Sequence, residues 1–290
     1  MKVPTSAGEV TLLLMYRLPP AVRRQALFAL YNHRLPRLRR PITFNEKVNW
    51  RIVNDRRELL RLTCDKLAMK EFAQKFPGVL VPRTLWFGTD IRELESAPLP
   101  DRWVLKPNHR SGLIHFGEGR PNVAALTAVT KNWLHSFESN QLCEWAYSKA
   151  RPILLAEELL GTPGEAPADY KFFVFAGKVA AIQVDVARHT RHQRRLYLPD
   201  WTPLEVKSGG YPLAPIESAP VNLAEMLDVA SDMGRDFDFI RVDLYSIAGK
   251  AFFGEITPYA GSGFDRLVPT SFDVELGEQW RLPHIDGVRQ

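Results

Sequence analysis

Cysteine is nearly absent: Cys64 and Cys143 are the two thiols in 290 residues. One pair makes no disulfide framework, so the fold must rest on a packed core. A reducing cytoplasmic setting is the expectation, with peripheral contact at the inner face of the membrane as its variant. Long apolar runs are missing too. The longest near the start, residues 12–16, falls short of the ~20 residues of a membrane span and of a signal-peptide core, and it ends at Arg17. The glycine-loop signatures of the Rossmann and Walker types do not occur. Acids are scarce in one stretch: from Arg17 to Arg51, the basic residues Arg23, Arg24, Arg34, Arg37, Arg39, Arg40 and Lys47 meet a single acid, Glu46. No repeat or low-complexity tract is present.

What is there is an ordinary globular composition with net charge +5, unevenly placed. A chain of this length is expected to form two or three packed lobes. A second basic cluster is Arg188, Arg191, Arg194 and Arg195. Such patches attract acidic substrates, anionic lipid or nucleic acid. Aromatic residues do not interleave with them as a stacking platform requires, which argues against nucleic acid. The basic N-terminal arm is expected to dock on the body of the protein, with weak contact to a membrane surface as the alternative.

Helical spacing predicts helices over residues 10–16 and 20–31, the second opened by Pro19-Pro20. Thr43, with Glu46 three residues on, is a capping box that opens another. Residues 65–72 read as a helix ended by Gly78. Residues 79–87 read as one edge strand interrupted by Pro82, and residues 89–101 as a linker between lobes. The strand from Trp103 ends in Lys106 beside a small-residue loop, Ser111-Gly112; a lysine so placed can hold phosphate as a point charge. His109 and His115 have no Cys or carboxylate at ligand spacing. Residues 123–147 read as one helix, and 153–160 as a buried strand ending in Glu157-Glu158. Residues 169–184 read as a hairpin turning at Ala176-Gly177-Lys178. Residues 201–218 read as a loop over the site and 223–237 as an amphipathic helix. Residues 258–263 form a glycine-rich loop whose backbone N–H groups can approach an anion. Gly261 and Ser262 are its candidate substrate contacts, with Arg188, Arg191 and Arg194 as candidates for holding an acidic partner.

The most informative stretch is residues 241–257, two strands around Ala248-Gly249-Lys250. With that three-residue loop, Ile247 faces Ala251 and Asp243 faces Glu255. The period of two then gathers Arg241, Asp243, Glu255 and Thr257 on one face, with Val242, Leu244, Gly254 and Ile256 on the other. Opposed carboxylates sit ~5 Å apart and repel. They need a cation, and oxygen ligands of this kind suit Mg²⁺ carrying substrate phosphates. A solvated hairpin face with an Arg–Asp pair explains the pattern about equally well.

The order of these motifs resembles the ATP-grasp superfamily, and within it the TupA-like group linked to teichuronopeptide and other surface-polysaccharide biosynthesis. The resemblance runs from Thr43 to Gly277. It is carried by Phe44-Asn45-Glu46-Lys47, Asp65-Lys66, Lys106-Pro107-Asn108-His109, Asp169-Tyr170-Lys171, Arg241-Val242-Asp243-Leu244-Tyr245 and Phe253-Gly254-Glu255. It implies an α+β ATP-grasp fold: two α+β lobes clasping ATP, one a mobile lid, with a helical N-terminal arm. Residues 1–60 would be the arm, 61–101 an N-terminal α/β segment, 102–165 the lid lobe and 166–290 the C-terminal lobe with the metal site. D-alanine ligase is a second comparison. By that likeness Lys66 and Lys106 contact the ATP phosphates, and Glu157 accepts from the adenine amino group. The hinge runs through Glu158 to Leu160, and Asp169 lies near the ribose, with Lys171 beside it in the ATP set. Arg241 neutralises the transferring phosphoryl group, and Asp243, Glu255 and Thr257 hold Mg²⁺. The superfamily often has Asn where this chain has Thr257, which puts a second metal in question.

The implied reaction is ATP-dependent ligation of a carboxylate to an amine through an acyl phosphate. The substrate would be a surface polysaccharide, an acidic polymer or an amino acid. Two alternatives stand beside it. One is a glycan-pathway glycosyltransferase or phosphotransferase, supported only by the acid-x-acid pattern Asp236-Phe237-Asp238 at a helix end. The other is a nucleotide-binding assembly module at a membrane surface.

Overall fold

The run Phe172-Phe173-Val174-Phe175 has no polar residue, so a strand made of it must be covered on both faces. A computed structural model, which describes residues 18–135, 141–161, 167–187 and 191–285, shows how. The run lies in a seven-stranded sheet of order β1 (Val79–Leu80), β12 (Lys250–Thr257), β11 (Ile240–Ile247), β6 (Asp169–Phe175), β7 (Lys178–Val186), β8 (Gln193–Tyr197) and β9 (Pro203–Leu204). β1 runs parallel to β12; the other neighbours are antiparallel. A second, antiparallel sheet has the order β2 (Thr84–Gly88), β5 (Leu154–Glu158), β3 (Arg102–Pro107) and β4 (His115–Glu118). β10 (Lys207–Ser208) pairs with β13 (Leu267–Val268). The helices are α1 (Pro20–Asn32), α2 (Phe44–Asn54), α3 (Leu59–Leu62), α4 (Lys66–Ala73), α5 (Val123–Val129), α6 (Leu223–Gly234) and α7 (Ser271–Gln279). Among the described residues no helix is long and apolar enough to cross a membrane.

Each face of the large sheet has its own core. Phe172 and Val174, with Val242, Leu244 and Ile256, pack with Met226, Val229, Ala230 and Met233 of α6 and with Met69 of α4. Phe173 and Phe175 pack with Phe44, Val48 and Ile52 of α2, Leu276 of α7 and Trp280. Burying one such aromatic ring contributes ~1.5–3 kcal/mol. The entry to α2 is fixed by the capping box read in the sequence: Glu46 N–H donates to Thr43 Oγ1, and Thr43 N–H donates to the Glu46 carboxylate. On the second face the covering is partial. The alternation that buries Phe173, Ala181 and Leu196 puts Lys171, Gln183 and Arg194 on the same side, two residues further along their strands. This polar half-face is the site.

Several expected elements differ. Residues 79–87 are not one strand: β1 joins the large sheet and β2 the small one. The supposed linker holds a 3₁₀ turn, Ile91–Ser96, whose Ile91 and Leu94 are buried with Trp103, Leu105 and Leu154. A boundary at residue 101 therefore separates β2 from β5, with which it pairs. The helix expected over 123–147 stops at Val129, and Trp145–Lys149 is a separate 3₁₀ turn. Thr127 and Thr130 turn their hydroxyls back onto the carbonyls of Val123 and Leu126, which weakens a helix already rich in β-branched residues. Residues 201–218 include β9 and β10. The helix expected over residues 10–16 lies outside the described residues.

Candidate active site

The hairpin at residues 241–257 reaches the expected pairing by a different route. Its loop has two residues, Ala248-Gly249, so Ile247 faces Lys250 and the register near the turn is one residue off the count. Both loop residues have positive φ, +50° and +71°, as the tightest hairpin turns require. Gly254 then restores the count. It opposes no residue: Leu244 faces Phe253, and Asp243 faces Glu255. This bulge also resets the parity of the strand. Phe253 and Ile256 both enter the α6-side core, where Gly254 had been expected. Glu255 and Thr257 turn to the other face, within hydrogen-bond reach of Arg241. A Cβ on Gly254 would lie 3.0 Å from the Asp243 carbonyl oxygen and 3.1 Å from the Tyr245 ring.

The charges on this face form a continuous chain. Arg241 donates to both oxygens of Asp243 (Nε–Oδ1 2.7 Å, Nη2–Oδ2 2.6 Å) and reaches Glu255 Oε1 at 3.2 Å and Thr257 Oγ1 at 3.3 Å. Lys171 Nζ is paired with Asp169 and lies 3.4 Å from Asp243 and 3.5 Å from Asp185. Arg194 Nε donates to Asp185 Oδ1 at 2.7 Å, and its Nη1 donates to Asp265 Oδ2 at 2.9 Å. Burial alone would raise the Asp243 carboxyl, but Arg241 and Lys171 hold it below the usual carboxylate range. Burial likewise opposes, and Arg194 and Lys171 overcome it, at Asp185, which falls to about 2.

The small sheet supplies the opposite sign. Its face away from the Trp103 core carries Lys106 and Glu157, diagonal neighbours across β3 and β5. Glu157 accepts from Lys106 and, at 3.1 Å, from Lys70 of α4. Burial would raise the Glu157 carboxyl; the two ammonium groups bring it below its ordinary value. Lys66, in the first turn of α4, donates to the carbonyl of Arg110 at 2.6 Å. Burial and the neighbouring Lys106 charge hold the Lys66 amine down at about 8, against the attraction of Glu255 and Glu157. Lys66 thus feels carboxylates from both sheets. Its position is fixed by Asp65, which caps α4 at Ala68 N–H and takes a two-pronged ion pair from Arg151. Asn108 helps, accepting from Leu67 N–H and donating to the Arg151 carbonyl. The neighbouring motifs Asp65-Lys66 and Lys106-Pro107-Asn108 are therefore one joint.

Two opposed carboxylates with a hydroxyl beside them form a hard oxygen donor set of the kind Mg²⁺ takes. The Arg241 guanidinium bridging Asp243 and Glu255 is a stand-in cation at that point. The residues fit the ion.

Other expected contacts are placed differently. Lys171 and Asp169 are buried and paired with one another. Both Glu157 oxygens accept from lysines, where an adenine amino group was expected. Glu158 N–H donates to the Arg83 carbonyl, and its carboxylate accepts from the Arg83 N–H and Nε. Leu160 is half-buried just past the end of β5. Arg194 is held by Asp185 and Asp265, and Arg195 by Glu205 and the Ala214 carbonyl, so this pair is not open to an acidic partner. Arg191 is exposed, and Arg188 lies outside the described residues. Ser262 accepts from Arg24 through both its hydroxyl and its carbonyl, while Gly261 lines a recess beside Arg241. Asp238 is tied to Arg51, Arg57 and Trp280, which makes the acid-x-acid pattern a structural anchor. Lys70, Asp185 and Arg24 were not named as site residues. Lys70 had a signal, four residues from Lys66 on one helix face. Asp185 had one as well, a polar alternation in an otherwise apolar strand. Arg24, 238 residues from Ser262, had none.

A family model described as TupA-like ATPgrasp matches residues 46–281. No curated protein matches the chain. Among solved structures, it is similar to D-alanine–D-alanine ligase from Bacillus anthracis complexed with ATP: 14% identity, 76% of this chain and 65% of that one, TM-score 0.47. The ATP-grasp ligase PsnB complexed with a phosphomimetic variant of minimal precursor, Mg and ADP matches at 12% identity, 76% and 60% coverage, TM-score 0.40. D-cycloserine synthetase DcsG matches at 15% identity, 76% and 70% coverage, TM-score 0.43. The chain thus spans just under two thirds of the length of the Bacillus ligase.

Proposed function

The chain belongs to the TupA-like ATPgrasp family, and on that footing we propose that it is an ATP-dependent ligase joining a carboxylate to an amine through an acyl phosphate. Its two α+β sheets are those of an ATP-grasp fold. The observation that supports the reaction is the pairing of Asp243 with Glu255 across the bulged ladder, with Lys66 feeling both Glu255 and the Lys106–Glu157 pair of the other sheet. In this reading the acids would serve a metal and the cations the phosphates.

In this reading Lys66 and Lys106 are the point charges for the triphosphate. Asp243 and Glu255, with Thr257 Oγ1, would hold Mg²⁺, which when bound would supply positive charge against the phosphate oxygens. Lys171, among Asp169, Asp185 and Asp243, keeps the Asp243 carboxylate ionised and in place. Glu157 orients Lys106 and Lys70. Arg241 screens the phosphoryl oxygens in transit. The substrate carboxylate attacks the γ-phosphorus and ADP departs. The amine then attacks the acyl carbon, phosphate leaves and the amide forms. Acceptors on a surface polysaccharide, an acidic polymer or an amino acid suit this chemistry.

Glu255→Gln removes one charge of the metal pair at a side chain that is 37% exposed, so the fold should persist. ADP release is expected to fall at least about a hundredfold, with an unchanged thermal melt. Wild-type ADP release from that variant would overturn the site. ADP and phosphate should appear together only when a carboxylate acceptor is supplied; turnover with hydroxyl acceptors alone would favour a transferase instead.

A further inference from the structure

Arg24 is a buried charge that the reaction described above does not use. It sits on α1, outside the matched residues 46–281, and is 0% exposed. A guanidinium taken out of water needs partners for its donors. Nε donates to Asn49 Oδ1 at 2.8 Å. Nη1 donates to the Leu142 carbonyl at 3.1 Å and to Ser262 Oγ at 3.0 Å, and Nη2 donates to the Ser262 carbonyl. Its Cζ lies 3.9 Å from the centroid of the Phe264 ring. Burial lowers the group to about 10, so it is still charged at neutral pH. Ser262 is the residue it meets twice.

The backbone of Ser262 explains why. Gly261 and Ser262 both adopt the left-handed conformation, with φ/ψ of +53°/21° and +51°/21°, and Gly263 follows at φ +64°. Glycine takes this conformation freely; a residue with a Cβ does not. The glycines also leave no room for side chains. A Cβ would come within 2.6 Å of the Asp265 carboxyl carbon at Gly261, and within 2.5 Å of Asn49 Nδ2 at Gly263. Side chains of α2 hold the flanks of the loop: Arg51 donates to the Pro258 carbonyl at 3.1 Å, Asn49 to that of Gly263 at 2.9 Å and Asn45 to that of Asp265 at 2.9 Å. Arg24 holds the middle, where the strain is. The loop begins directly after Thr257, and its Ala260 and Gly261 form a wall of the recess that Arg241 also lines.

We propose that Arg24 is a positioning residue of the active site: by gripping Ser262 it keeps the 258–263 loop left-handed and fixes the wall beside Arg241. The effect on turnover rests on the ligase reading; the grip on Ser262 does not. In that reading Arg241 meets the transferring phosphoryl group, while Lys66 and Lys106 hold the triphosphate. Loosening the wall therefore acts on the chemical step and leaves ATP binding as it was.

The test is a double-mutant cycle in the full chain with Arg24→Lys and Ser262→Gly. Lysine keeps the charge and loses the fork that holds both Ser262 oxygens. Glycine takes the left-handed backbone without being held. Arg24→Lys should lower kcat for ADP release at least about tenfold, with KM for ATP unchanged. In the Ser262→Gly background that loss should shrink at least about threefold. An Arg24 that merely anchors α1 predicts the same loss in both backgrounds, and that result overturns the proposal. So does a wild-type kcat in Arg24→Lys, or a raised KM for ATP with kcat kept. If Arg24→Lys fails to fold, Ser262→Ala against Ser262→Gly carries the test. Both lose the hydroxyl but only alanine keeps the backbone strain, so alanine should lower kcat more; equal rates would refute the grip. If no carboxylate–amine pair releases ADP from the wild type, the ligase reading fails. The cycle read as denaturant midpoints then decides the grip by itself: Arg24→Lys should destabilise less beside Ser262→Gly, and additive shifts would refute it.

Discussion

On the small sheet and the helix beside it, Lys66, Lys70 and Lys106 share one carboxylate, Glu157. On the large sheet Lys171, Arg194 and Arg241 are outnumbered by Asp169, Asp185, Asp243, Glu255 and Asp265. The two regions carry opposite surpluses. The sequence suggests the reverse, because its arginine cluster lies on the large sheet and its lysines are scattered. What decides is cross-strand pairing. A carboxylate two residues or one strand away cancels an arginine, and only an unmatched charge can meet a ligand.

Exchanging one cation from each region is the strongest way to break this comparison. Lys106→Met should lower ADP release at least about a hundredfold, with a small change in melting temperature, because Glu157 keeps Lys70 as partner. Arg194→Met should do the opposite. It takes from Asp185 its nearest guanidinium, leaving Lys171 at 3.5 Å, and leaves Asp265 unmatched; breaking a buried pair from one side costs about 3–5 kcal/mol. KM for ATP in the folded fraction should stay as in the wild type. Denaturant titration and ATP kinetics on both variants check this. A stable Arg194→Met protein with weakened ATP binding would mean that the surpluses are wrongly assigned.

A second break acts on the backbone. Gly254→Val puts a side chain against the Asp243 carbonyl and the Tyr245 ring at a bulge that sets both register and parity. Overpacking of this kind costs about 1–3 kcal/mol. Turnover should fall by more than the loss of folded protein accounts for, since Glu255 no longer faces Asp243. Full specific activity would show that the bulge does not set the pair.

The lysine side is sharpened by pH. With the Lys66 amine at about 8, the free protein loses that charge as pH rises through 8, so kcat/KM for ATP should fall from there upward. Unfolding does not explain such a fall. The folded value lies below the ordinary 10.5, so between about 8 and 10.5 the unfolded chain holds more protons at this group, and its contribution to stability rises with pH. Lys66→Arg, charged throughout, should move the fall to higher pH. An unchanged profile would remove Lys66 from the phosphate site.

Much of this was readable beforehand, for local reasons. The capping box at Thr43 and Glu46, the Asp65 cap and the double apolar parity of Phe172-Phe173-Val174-Phe175 depend on near neighbours. The facing of Asp243 and Glu255 was also reached, though two errors cancelled: a loop counted one residue too long and an unseen bulge at Gly254. The split of residues 79–87 between two sheets was not readable, because each half has the same edge-strand pattern and only the tertiary partner differs. Nor was the neutralisation of Arg194, since Asp265 lies 71 residues away and nothing near it marks the pairing. Arg24 is the extreme case: a helix outside the matched family region closes on the loop at Ser262 by hydrogen bonds from Arg24 and by Arg24 and Tyr31 stacking on Phe264.

Thr257 bears on the acid side, with the smallest effect. Its Oγ1 lies 3.3 Å from Glu255 Oε1 and accepts from Arg241, so it stands at the edge of the carboxylate pair rather than between its members. A hydroxyl is a weaker neutral donor to a hard cation than an amide carbonyl. Thr257→Asn places a carbonyl at that edge and loses one contact to Arg241. The Mg²⁺ concentration that gives half-maximal ADP release should drop by roughly fivefold, equivalent to about 1 kcal/mol. The maximal rate should change little, because both carboxylates and both phosphate lysines remain. A higher Mg²⁺ requirement would mean that Thr257 already ligates through its hydroxyl in a geometry the longer side chain disturbs. An unchanged requirement would place the ion against Asp243 and Glu255 alone, with the surplus of the large sheet, and not a third ligand, holding it there.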